Sequence, residues 1–419
     1  MIDQSLLQEL ATAARAASTQ LAQTSGADRD RALRSIAAAI ASDSEAILAA
    51  NQIDIDKAES RSLPAAFVDR LLLDDSRVQA ISDAVLAVAG LDDPLGRVLD
   101  ERHRPNGLRI SRVSVPLGVV GIIYESRPNV TADAAAICLK AGNAVILRGG
   151  SDSAHSTYAI AHSVKRGLAD AELPVDSVQV VPSQDRDWVG EILKGLNGSI
   201  DVVVPRGGRS LVERVQTDAR VPVIGHLEGL CHTFVHKSAD LAMACDVVVN
   251  AKMRRVGICG ALETLLLDAR WPRHAQAALI DQLIDAGCEL RGDEAACAID
   301  PRMTAATVDD WTTEYLAPVL SVAVVPDADA AIAHIGMYGS GHTDAIVCED
   351  SRVAERFIAA VDSAIVMHNA STQFADGGEF GLGAEIGIST GKLHARGPVG
   401  AAELTSYKHV VRGGGQTRP

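Results

Sequence analysis

Between residues 119 and 219, short apolar runs alternate with stretches of helical period. The runs are rich in β-branched residues, which favour strands, and the intervening stretches repeat their apolar residues at every third and fourth position. Such an alternation predicts a doubly wound parallel sheet whose ligand crevice lies at the carboxyl ends of the strands. The predicted fold class is therefore α/β. The predicted strands are AVIL, VQVV, DVVV and the second, buried segment of GLRISRVSVPLGVVGIIYE, and the helices are TADAAAICLKAGN, SAHSTYAIAHSVKRGLADA, DWVGEILKGL and RSLVERVQTDA.

A second run of the same kind begins after Lys237. Two successive sheets predict two domains with a cleft between them. Hydrophobic residues make up 47% of the chain and aromatic residues only 3%, so the cores must be built from Ala, Val, Leu and Ile. The run comprises LAMACDVVVNAKM, ETLLLD, HAQAALIDQLIDAG, LAPVLSVAVV, ADAAIAHIG, DAIVC and RVAERFIAAV.

Two regions outside these runs have other patterns. The first hundred residues have the apolar period of amphipathic helices, which we interpret as scaffold. Residues 108–115 alternate polar and apolar side chains ahead of Pro116, a pattern that predicts a strand arm. The glycine-rich C-terminal segment is available to pair with that arm. Together they predict a homo-oligomer.

Charge and cysteine content limit the function. The formal net charge of −15 argues against a nucleic-acid surface, which needs clustered Lys and Arg. The seven cysteines are odd in number and have no CxxC spacing, so they predict neither a disulfide framework nor a zinc site. No apolar run reaches the roughly 18 to 20 residues of a membrane helix, and the N-terminus lacks the pattern of a signal peptide. We therefore expect no metal, no membrane contact and a cytoplasmic location.

The segment VGICGALETLL contains the most suggestive single residue, Cys259, which lies between Gly257 and Gly260 at the start of an apolar strand. A nucleophilic cysteine needs open backbone and nearby positive charge, because the thiolate is the reactive form. The upstream segment KMRR carries Lys252, Arg254 and Arg255, which offer that charge. A buried cysteine that packs as a small hydrophobic residue is the alternative, and spacing alone does not decide between them.

Two glycine pairs follow predicted strands. Gly149 and Gly150 come after AVILR, and Gly207 and Gly208 come after DVVVPR, each just before a predicted helix. Free amides at a helix N-terminus can bind phosphate. Neither pair forms a GxGxxG motif, so an ordinary tight turn is the alternative for both.

Four long segments resemble the aldehyde dehydrogenase superfamily, and within it the gamma-glutamyl phosphate reductase (glutamate-5-semialdehyde dehydrogenase) family. The third of these segments resembles the family signature. The resemblance runs nearly end to end and implies NADPH-dependent reduction of L-glutamyl 5-phosphate to L-glutamate 5-semialdehyde and phosphate, a step of proline biosynthesis. The segments are IIYESRPNVTADAAAICLKAGNAVILRGG, NAKMRRVGICGALETLL, VPDADAAIAHIGMYGSGHTDAI and ADGGEFGLGAEIGISTGKLHARGPVG.

The resemblance also assigns roles to single residues. It implies that Cys259 is the nucleophile and that Asn129 binds the oxyanion. It implies that Arg148 contacts the cofactor ribose beside Gly149, that Glu314 holds the nicotinamide ribose, and that Gly207 and Gly208 flank the pyrophosphate. The implied division is an NADP-binding domain at 1–107 and 124–232, a catalytic domain at 233–372, and an oligomerisation arm with a C-terminal segment at 108–123 and 385–419.

Contacts to the substrate are predicted from its charges. Arg127 and Arg396 are candidates for its anionic groups, with a surface salt bridge as the alternative for each. Glu125 is the candidate for the ammonium group, and His342, in the signature, is a further substrate-binding candidate, although a structural histidine is its alternative. Glu228 occupies the nearest position to the water-activating glutamate of hydrolytic relatives, and we interpret it as a structural acid, because a reductase must protect its thioester from water.

Other functions stay open at this stage. A hydrolytic or a coenzyme-A-acylating aldehyde dehydrogenase would use the same nucleophile with a different acceptor. A non-catalytic role as a partner of glutamate 5-kinase is the non-enzymatic alternative. The kinase is also a candidate partner of the enzyme itself, because acyl phosphates of this kind cyclise readily.

Overall fold

The structure, a computed structural model, describes residues 3–418, except for the side chains of Ala65 and Ala66. The chain forms two compact units, of which the first contains the residues up to Gly225, Gly381–Gly387 and the segment from Val399 onward. The second contains His226–Phe380 and Ile388–Pro398. Among the described residues, no helix combines the length and the apolar character that a membrane span requires.

The first unit begins with a group of amphipathic helices, as the sequence predicts. Asp3, Ser25 and Asp74 cap three of these helices, because their side chains accept hydrogen bonds from amides of the first turn. The helices of the unit are α1 (Gln4–Leu21), α2 (Gly26–Ser42), α3 (Ser44–Ser60), α4 (Ala65–Leu71), α5 (Asp75–Ala89), α6 (Val130–Lys140), α7 (Ala154–Asp170), α8 (Asp187–Leu193) and α9 (Arg209–Asp218).

A four-stranded parallel sheet forms the centre of the first unit. Its strands are β3 (Val119–Tyr124), β4 (Ala144–Arg148), β5 (Val178–Val180) and β6 (Val202–Arg206), in the order β5-β4-β3-β6. Every residue of β3 and β4 is buried, as expected for parallel strands covered on both faces. The sequence therefore predicted this sheet and its helices correctly.

A separate antiparallel sheet of three strands is formed by β1 (Val98–His103), β2 (Arg109–Pro116) and β16 (Thr405–Arg412). The strand β16 pairs with β2 along its whole length, from Thr405 opposite Pro116 to Arg412 opposite Arg109. The C-terminal segment therefore pairs with the arm, within one chain.

The domain boundaries drawn from the sequence differ from the structure in several places. The first unit ends at Gly225 and not at residue 232, and the second unit continues to Phe380 and not only to residue 372. Residues 108–123 were assigned to the arm, yet β3 belongs to the parallel sheet and only β2 to the arm, because Pro116 and Gly118 interrupt the strand between them. Residues 385–419 were assigned to one segment, yet Ile388–Pro398 belongs to the second unit.

The second unit contains a seven-stranded parallel sheet in the order β10-β9-β11-β8-β7-β12-β13. Val248 of α10 and Leu279 of α11 belong to one hydrophobic cluster on this sheet, and Ile335 of α13 and Phe357 of α14 belong to another. The elements are β7 (Cys231–Val235), α10 (Leu241–Met253), β8 (Leu262–Asp268), α11 (Arg273–Asp285), β9 (Glu289–Gly292), α12 (Glu294–Cys297), β10 (Thr304–Ala305), β11 (Val319–Val325), α13 (Ala328–Tyr338), β12 (Thr343–Val347), α14 (Ser351–Ala360), β13 (Ile365–His368), β14 (Ile388–Ser389) and β15 (Gly397–Pro398).

The central strands of this sheet bring distant parts of the chain together at one edge. The neighbours β8, β7 and β12 run parallel, so their amino ends lie side by side. The turn before Leu262, the loop before Cys231 and the residue before Thr343 therefore meet at the amino edge of the sheet.

Candidate active site

Cys259 lies in the turn that joins α10 to β8, at the amino edge of the seven-stranded sheet. Its residue is half-buried, whereas Cys138, Cys231, Cys245, Cys288 and Cys348 are buried. The half-exposed position suits a thiol that must meet a substrate, and Cys259 also packs against the hydrophobic cluster that contains Ala345 and Ile388. The role of Cys259 as the nucleophile stays a prediction.

The backbone of Cys259 is closely packed against the neighbouring loop. A Cβ atom built on Gly229 would lie 2.0 Å from the carbonyl oxygen of Cys259. The Sγ of Cys231 lies 3.1 Å from the same oxygen and donates to it. Burial raises the pKa of Cys231 well above its usual value, with Asp344 adding to the effect, so this thiol keeps its proton and stays a donor. The turn that contains Cys259 is thus held through the carbonyl group of this residue.

Two histidines stand beside Cys259. One nitrogen of His226, one nitrogen of His342 and the Sγ of Cys259 all lie within 4.8 Å of one another. The two rings are in edge contact, with their centroids 4.8 Å apart. His342 was a sequence candidate, whereas His226 was not, because nothing in the spacing 226, 259 and 342 indicates that the three residues meet.

Hydrogen bonds fix the orientation of both rings. The Nδ1 of His226 lies 2.7 Å from the carbonyl oxygen of Ile388, which can only accept, so Nδ1 carries the proton of the neutral ring and Nε2 is its basic nitrogen. The Nδ1 of His342 lies 2.9 Å from the hydroxyl of Thr343. The Nε2 of His342 is buried and has no hydrogen-bond partner among the described residues.

Glu314 supports the loop that contacts Cys259. Its carboxylate accepts a hydrogen bond of 2.9 Å from the amide of Gly229, and the hydroxyl of Ser340 accepts one of 3.0 Å from the amide of Leu230. Glu314 therefore contacts Gly229, which in turn packs against Cys259. Glu228, in the same loop, is half-buried.

The positive charge expected near Cys259 is distributed differently from the prediction. Lys252 is fully buried and its Nζ lies 2.6 Å from Glu263, so its charge is balanced inside the core and is not directed to the thiol. Burial raises the pKa of Glu263 to about 7, although Lys252 opposes the shift. Arg254 and Arg255 are exposed, and the guanidinium of Arg254 donates to Gln373 at 3.4 Å.

The predicted cofactor residues of the first unit surround the carboxyl ends of β4 and β6. Arg148 is buried, and its guanidinium donates to the carbonyl oxygens of Gly149 at 2.8 Å and Gln184 at 3.0 Å, while its Nε has no partner among the described residues. Burial lowers the pKa of Arg148, and the charge of nearby Arg186 lowers it further. A buried cation with an unused donor and a second cation nearby fits an anionic ligand.

The glycine pair at 207 and 208 lies at the start of α9, where Gly208 is the N-cap. The carboxylate of Glu125 accepts a hydrogen bond of 3.0 Å from the amide of Gly208. A Cβ atom on Gly207 would lie 2.6 Å from the same carboxylate and 2.7 Å from the Cδ2 of Leu211, so a larger residue there would displace these side chains. The Glu125 carboxylate therefore occupies the position predicted for the cofactor pyrophosphate, although Glu125 was predicted to bind the substrate ammonium.

Asn129 is exposed at the start of α6 in the first unit, and its amide donates to Asp133 at 2.8 Å. Burial raises the pKa of Asp133 to about 6. The role of Asn129 as the oxyanion partner of Cys259, which belongs to the second unit, stays a prediction.

The two predicted anion-binding arginines differ in their surroundings. Arg396 pairs with Asp362, donating to its carboxylate at 2.7 Å and to its carbonyl oxygen at 2.7 Å, which is the salt-bridge alternative considered for it. Arg127 is half-buried and follows Ser126, which has a left-handed backbone with φ 47°. Substrate contacts for both arginines stay predictions.

Comparison with known proteins identifies close relatives. A family model described as the aldehyde dehydrogenase family matches residues 1–286. The gamma-glutamyl phosphate reductase of Novosphingobium aromaticivorans is 59% identical over 414 residues, which cover 99% of this chain and 97% of that protein. The protein of the same name from Parvibaculum lavamentivorans is 57% identical over 414 residues, covering 99% and 98%.

A solved structure supports the same grouping. The crystal structure of gamma-glutamyl phosphate reductase from Thermotoga maritima superposes with a TM-score of 0.96 at 43% identity, covering 99% of this chain and 100% of that one. The similarity therefore extends over both compact units.

Proposed function

Because the chain belongs to the aldehyde dehydrogenase family, we propose that it reduces L-glutamyl 5-phosphate to L-glutamate 5-semialdehyde and phosphate with NADPH, in proline biosynthesis. The observation that carries this proposal is a half-buried Cys259 thiol beside two imidazoles, in a chain 59% identical to a gamma-glutamyl phosphate reductase along almost its whole length.

The first step belongs to Cys259. Its thiolate attacks the acyl carbon and forms the C–S bond, which gives a tetrahedral oxyanion. As this oxyanion collapses, the bond to the phosphate oxygen breaks and phosphate leaves with the electron pair. The imidazoles of His226 and His342, both within 4.8 Å of the sulfur, are suited to accept the thiol proton. The product of this step is a thioester on Cys259.

The oxyanion is stabilised by hydrogen-bond donors. We assign this role to the backbone amide of Cys259 and the side chain of Asn129, a pair that typically supplies a few kcal/mol. The carbonyl of Cys259 is fixed by Gly229 and Cys231, so its turn is rigid before substrate arrives. Rigid donors need no reorganisation in the transition state.

NADPH, when bound, supplies the hydride that reduces the thioester. The residues of the first unit fit an anionic dinucleotide, because Arg148 has an unused buried donor and the amide of Gly208, at the start of α9, already donates to a carboxylate. We assign Arg148 and nearby Arg186 to the 2′-phosphate, and the amides of Gly207 and Gly208 to the pyrophosphate. Gly149 lets the chain pass close to the ribose, and Glu314 holds the nicotinamide ribose.

For the substrate, we assign Arg127 and Arg396 to its anionic groups, Glu125 to its ammonium and His342 to the end that carries the reacting carbon. Binding to Arg396 requires the substrate to share it with Asp362. Glu125 can serve the ammonium only while its carboxylate is not shared fully with Gly208.

The assay that tests the proposal runs the reaction in reverse. Glutamate 5-semialdehyde and NADP⁺ should give NADPH only when phosphate is present, and Cys259→Ala should lower the rate by at least about 1,000-fold. The matched control is Cys297→Ala, because Cys297 is also a half-buried free thiol. Full activity of Cys259→Ala would remove the nucleophile assignment.

The same assay separates the alternatives. Turnover with coenzyme A in place of phosphate would indicate an acylating dehydrogenase, and turnover with neither would indicate a hydrolytic one. Absence of all turnover, combined with co-purification with glutamate 5-kinase, would favour the non-catalytic partner role.

We further propose a homo-oligomer in which the sheet β1-β2-β16 forms the contact, since this sheet has exposed apolar residues such as Leu99 and Val411. The cytoplasm is the proposed compartment, because its reducing conditions suit the seven free cysteines.

A further inference from the structure

We infer that Cys259, His226 and His342 form a binding site for a zinc ion, and that zinc bound there inhibits the enzyme by occupying its nucleophile. One ligand atom from each residue lies within 4.8 Å of the other two. The inference goes beyond the proposed reaction, which uses no metal, and only its inhibitory part rests on that reaction.

The donor set suits zinc. One thiolate and two imidazoles are ligands that Zn²⁺ binds well, whereas Mg²⁺ and Ca²⁺ prefer oxygen. The ligand atoms around a tetrahedral zinc lie about 3.3–3.8 Å apart, given bonds of about 2.0–2.3 Å. To reach these spacings from the observed limit of 4.8 Å, the ligand atoms must move by about 1 Å. Both His226 and Cys259 are only half-buried, so their side chains have space to move.

The surroundings of the histidines resemble those of metal ligands. A metal-binding histidine commonly donates its other ring nitrogen to a carbonyl group, which orients the ring. His226 does this, because its Nδ1 lies 2.7 Å from the carbonyl oxygen of Ile388. His342 is fully buried, and its Nε2 has no hydrogen-bond partner among the described residues, which is costly unless another group binds there.

The scaffold holds the three ligands on separate elements. His226 is in the loop before β7, Cys259 is in the turn before β8, and His342 directly precedes β12. These strands are neighbours in the sheet, so the ligands are fixed by the sheet and not by one flexible loop. Three protein ligands leave the fourth position of zinc for water.

Zinc binding blocks the reaction for a chemical reason. As the Zn–S bond forms, the thiol of Cys259 releases its proton to solvent, and the sulfur electron pair needed for attack on the acyl carbon is held by the metal. Zinc should therefore compete with acylation, and a chelator should restore activity, since no covalent bond within the protein changes.

The test measures binding of the metal itself. The whole protein is titrated with ZnCl₂ in competition with a chromophoric chelator, and with CoCl₂ to detect a thiolate-to-cobalt charge-transfer band. We expect one Zn²⁺ per chain, a charge-transfer band, and at least about a tenfold weaker affinity for His226→Gln and for Cys259→Ser. Cys297→Ser, which alters a half-buried thiol of the same unit outside the cluster, should bind as the unaltered protein does.

The outcomes separate the two proposals. Absence of the charge-transfer band, or unchanged affinity in His226→Gln and Cys259→Ser, would overturn the zinc site while leaving the reductase assay unaffected. If the unaltered protein binds zinc and the Cys259→Ala variant keeps full activity, the proposed nucleophile is overturned and the metal site stands. His226 is half-buried, so its variant is expected to fold, and a far-ultraviolet circular dichroism spectrum checks this.

Discussion

At the scale of single residues, the most consequential contact joins a glycine to the nucleophile. Gly229 has room for no side chain, because its Cβ would lie 2.0 Å from the carbonyl oxygen and 2.7 Å from the Cα of Cys259. These are backbone atoms, which cannot rotate away as a side chain can. Any substitution at residue 229 must therefore move the turn that carries the thiol.

We predict that Gly229→Ala lowers kcat/KM by about 100-fold, since a displacement of about 1 Å at a reacting group costs this much. The measurement is the phosphate-dependent assay together with thermal unfolding. Gly336→Ala is the matched control, because a Cβ there meets nothing within 4 Å and the residue lies inside α13, where Ala stabilises. Unchanged kcat/KM in Gly229→Ala would contradict the packing argument.

A second residue-scale prediction concerns acid stability. His334 packs between Trp311 and Tyr338, and burial lowers its pKa to about 4. The unfolded chain, with a histidine pKa of about 6.5, binds more protons than the folded one in the window from about 6.5 to about 4. The stability associated with neutral His334 is therefore present above about pH 6.5 and is lost as the pH falls.

His334→Phe removes this titration, so its free energy of unfolding should fall less than that of the unaltered protein between about pH 7 and pH 5. Urea unfolding at both pH values measures the difference. His274→Phe serves as the control, because His274 is exposed on α11. An equal fall in the unaltered protein and His334→Phe would argue against the pKa shift.

At the scale of elements, strand β16 completes the antiparallel sheet. Without it, the eight residues of β2 would present an open edge, and open edges promote self-association. Arg112 of β2 also lies over the ring of Tyr407 at 4.3 Å, a cation–π contact worth roughly 0.5–1 kcal/mol. The arm is thus stabilised by the last part of the described chain.

We predict that a chain ending at Leu404 has a lower thermal midpoint and an altered oligomeric state in light scattering. A chain ending at Gly413 keeps β16 and should behave as the full chain does. If both truncations have the oligomeric state of the full protein, the sheet is not the oligomer contact.

The sequence was sufficient to predict most helices and strands, because their apolar residues recur with the period of a helix or form the short apolar run of a buried strand. The predicted helix LAMACDVVVNAKM coincides with α10, Leu241–Met253, and the predicted strand ETLLLD falls within β8. Strand β7 was not predicted, because CHTFV is short and contains polar residues at its second and third positions. Only its place between β8 and β12 explains the burial of His232, whose Nδ1 bonds Asp344 at 3.0 Å.

The site was predictable only in part, because some of its residues are brought together by the order of strands in the sheet. Cys259 was identified by its glycines and by family resemblance, whereas His226 and Cys231 depend on the order of strands, which no local pattern records. The rule that ligands gather at carboxyl ends describes Arg148 and Gly207, yet Cys259 lies at the amino edge of its sheet.

At the scale of the whole molecule, the proposed site residues come from both compact units. Glu314, proposed for the cofactor, lies in the second unit, and Asn129, proposed for the oxyanion, lies in the first. Arg148, Arg186 and the glycine pair at 207 and 208 belong to the first, and Cys259 with its two histidines belongs to the second. Since each unit has its own sheet and core, changes to the cofactor residues should leave the intrinsic reactivity of the thiol unchanged.

We predict that Arg186→Ser raises the KM for NADPH by about tenfold and the KM for NADH much less, because loss of one charge-assisted contact costs about 1.4 kcal/mol. In the absence of cofactor, the rate of Cys259 alkylation by iodoacetamide should not change. Arg186 is exposed, so the variant is expected to fold. An equal rise in both KM values would remove Arg186 from cofactor selection.

The carboxylate of Glu125 on the Gly208 amide has a consequence for turnover. In the proposed binding mode, the pyrophosphate replaces the Glu125 carboxylate at the Gly208 amide, and the carboxylate returns when the dinucleotide leaves. Such an exchange lowers the net gain of the new contact, because the Gly208 amide already has an anionic acceptor. The proposed exchange therefore weakens cofactor binding, which suits the proposed reaction, because NADP⁺ must leave after every cycle.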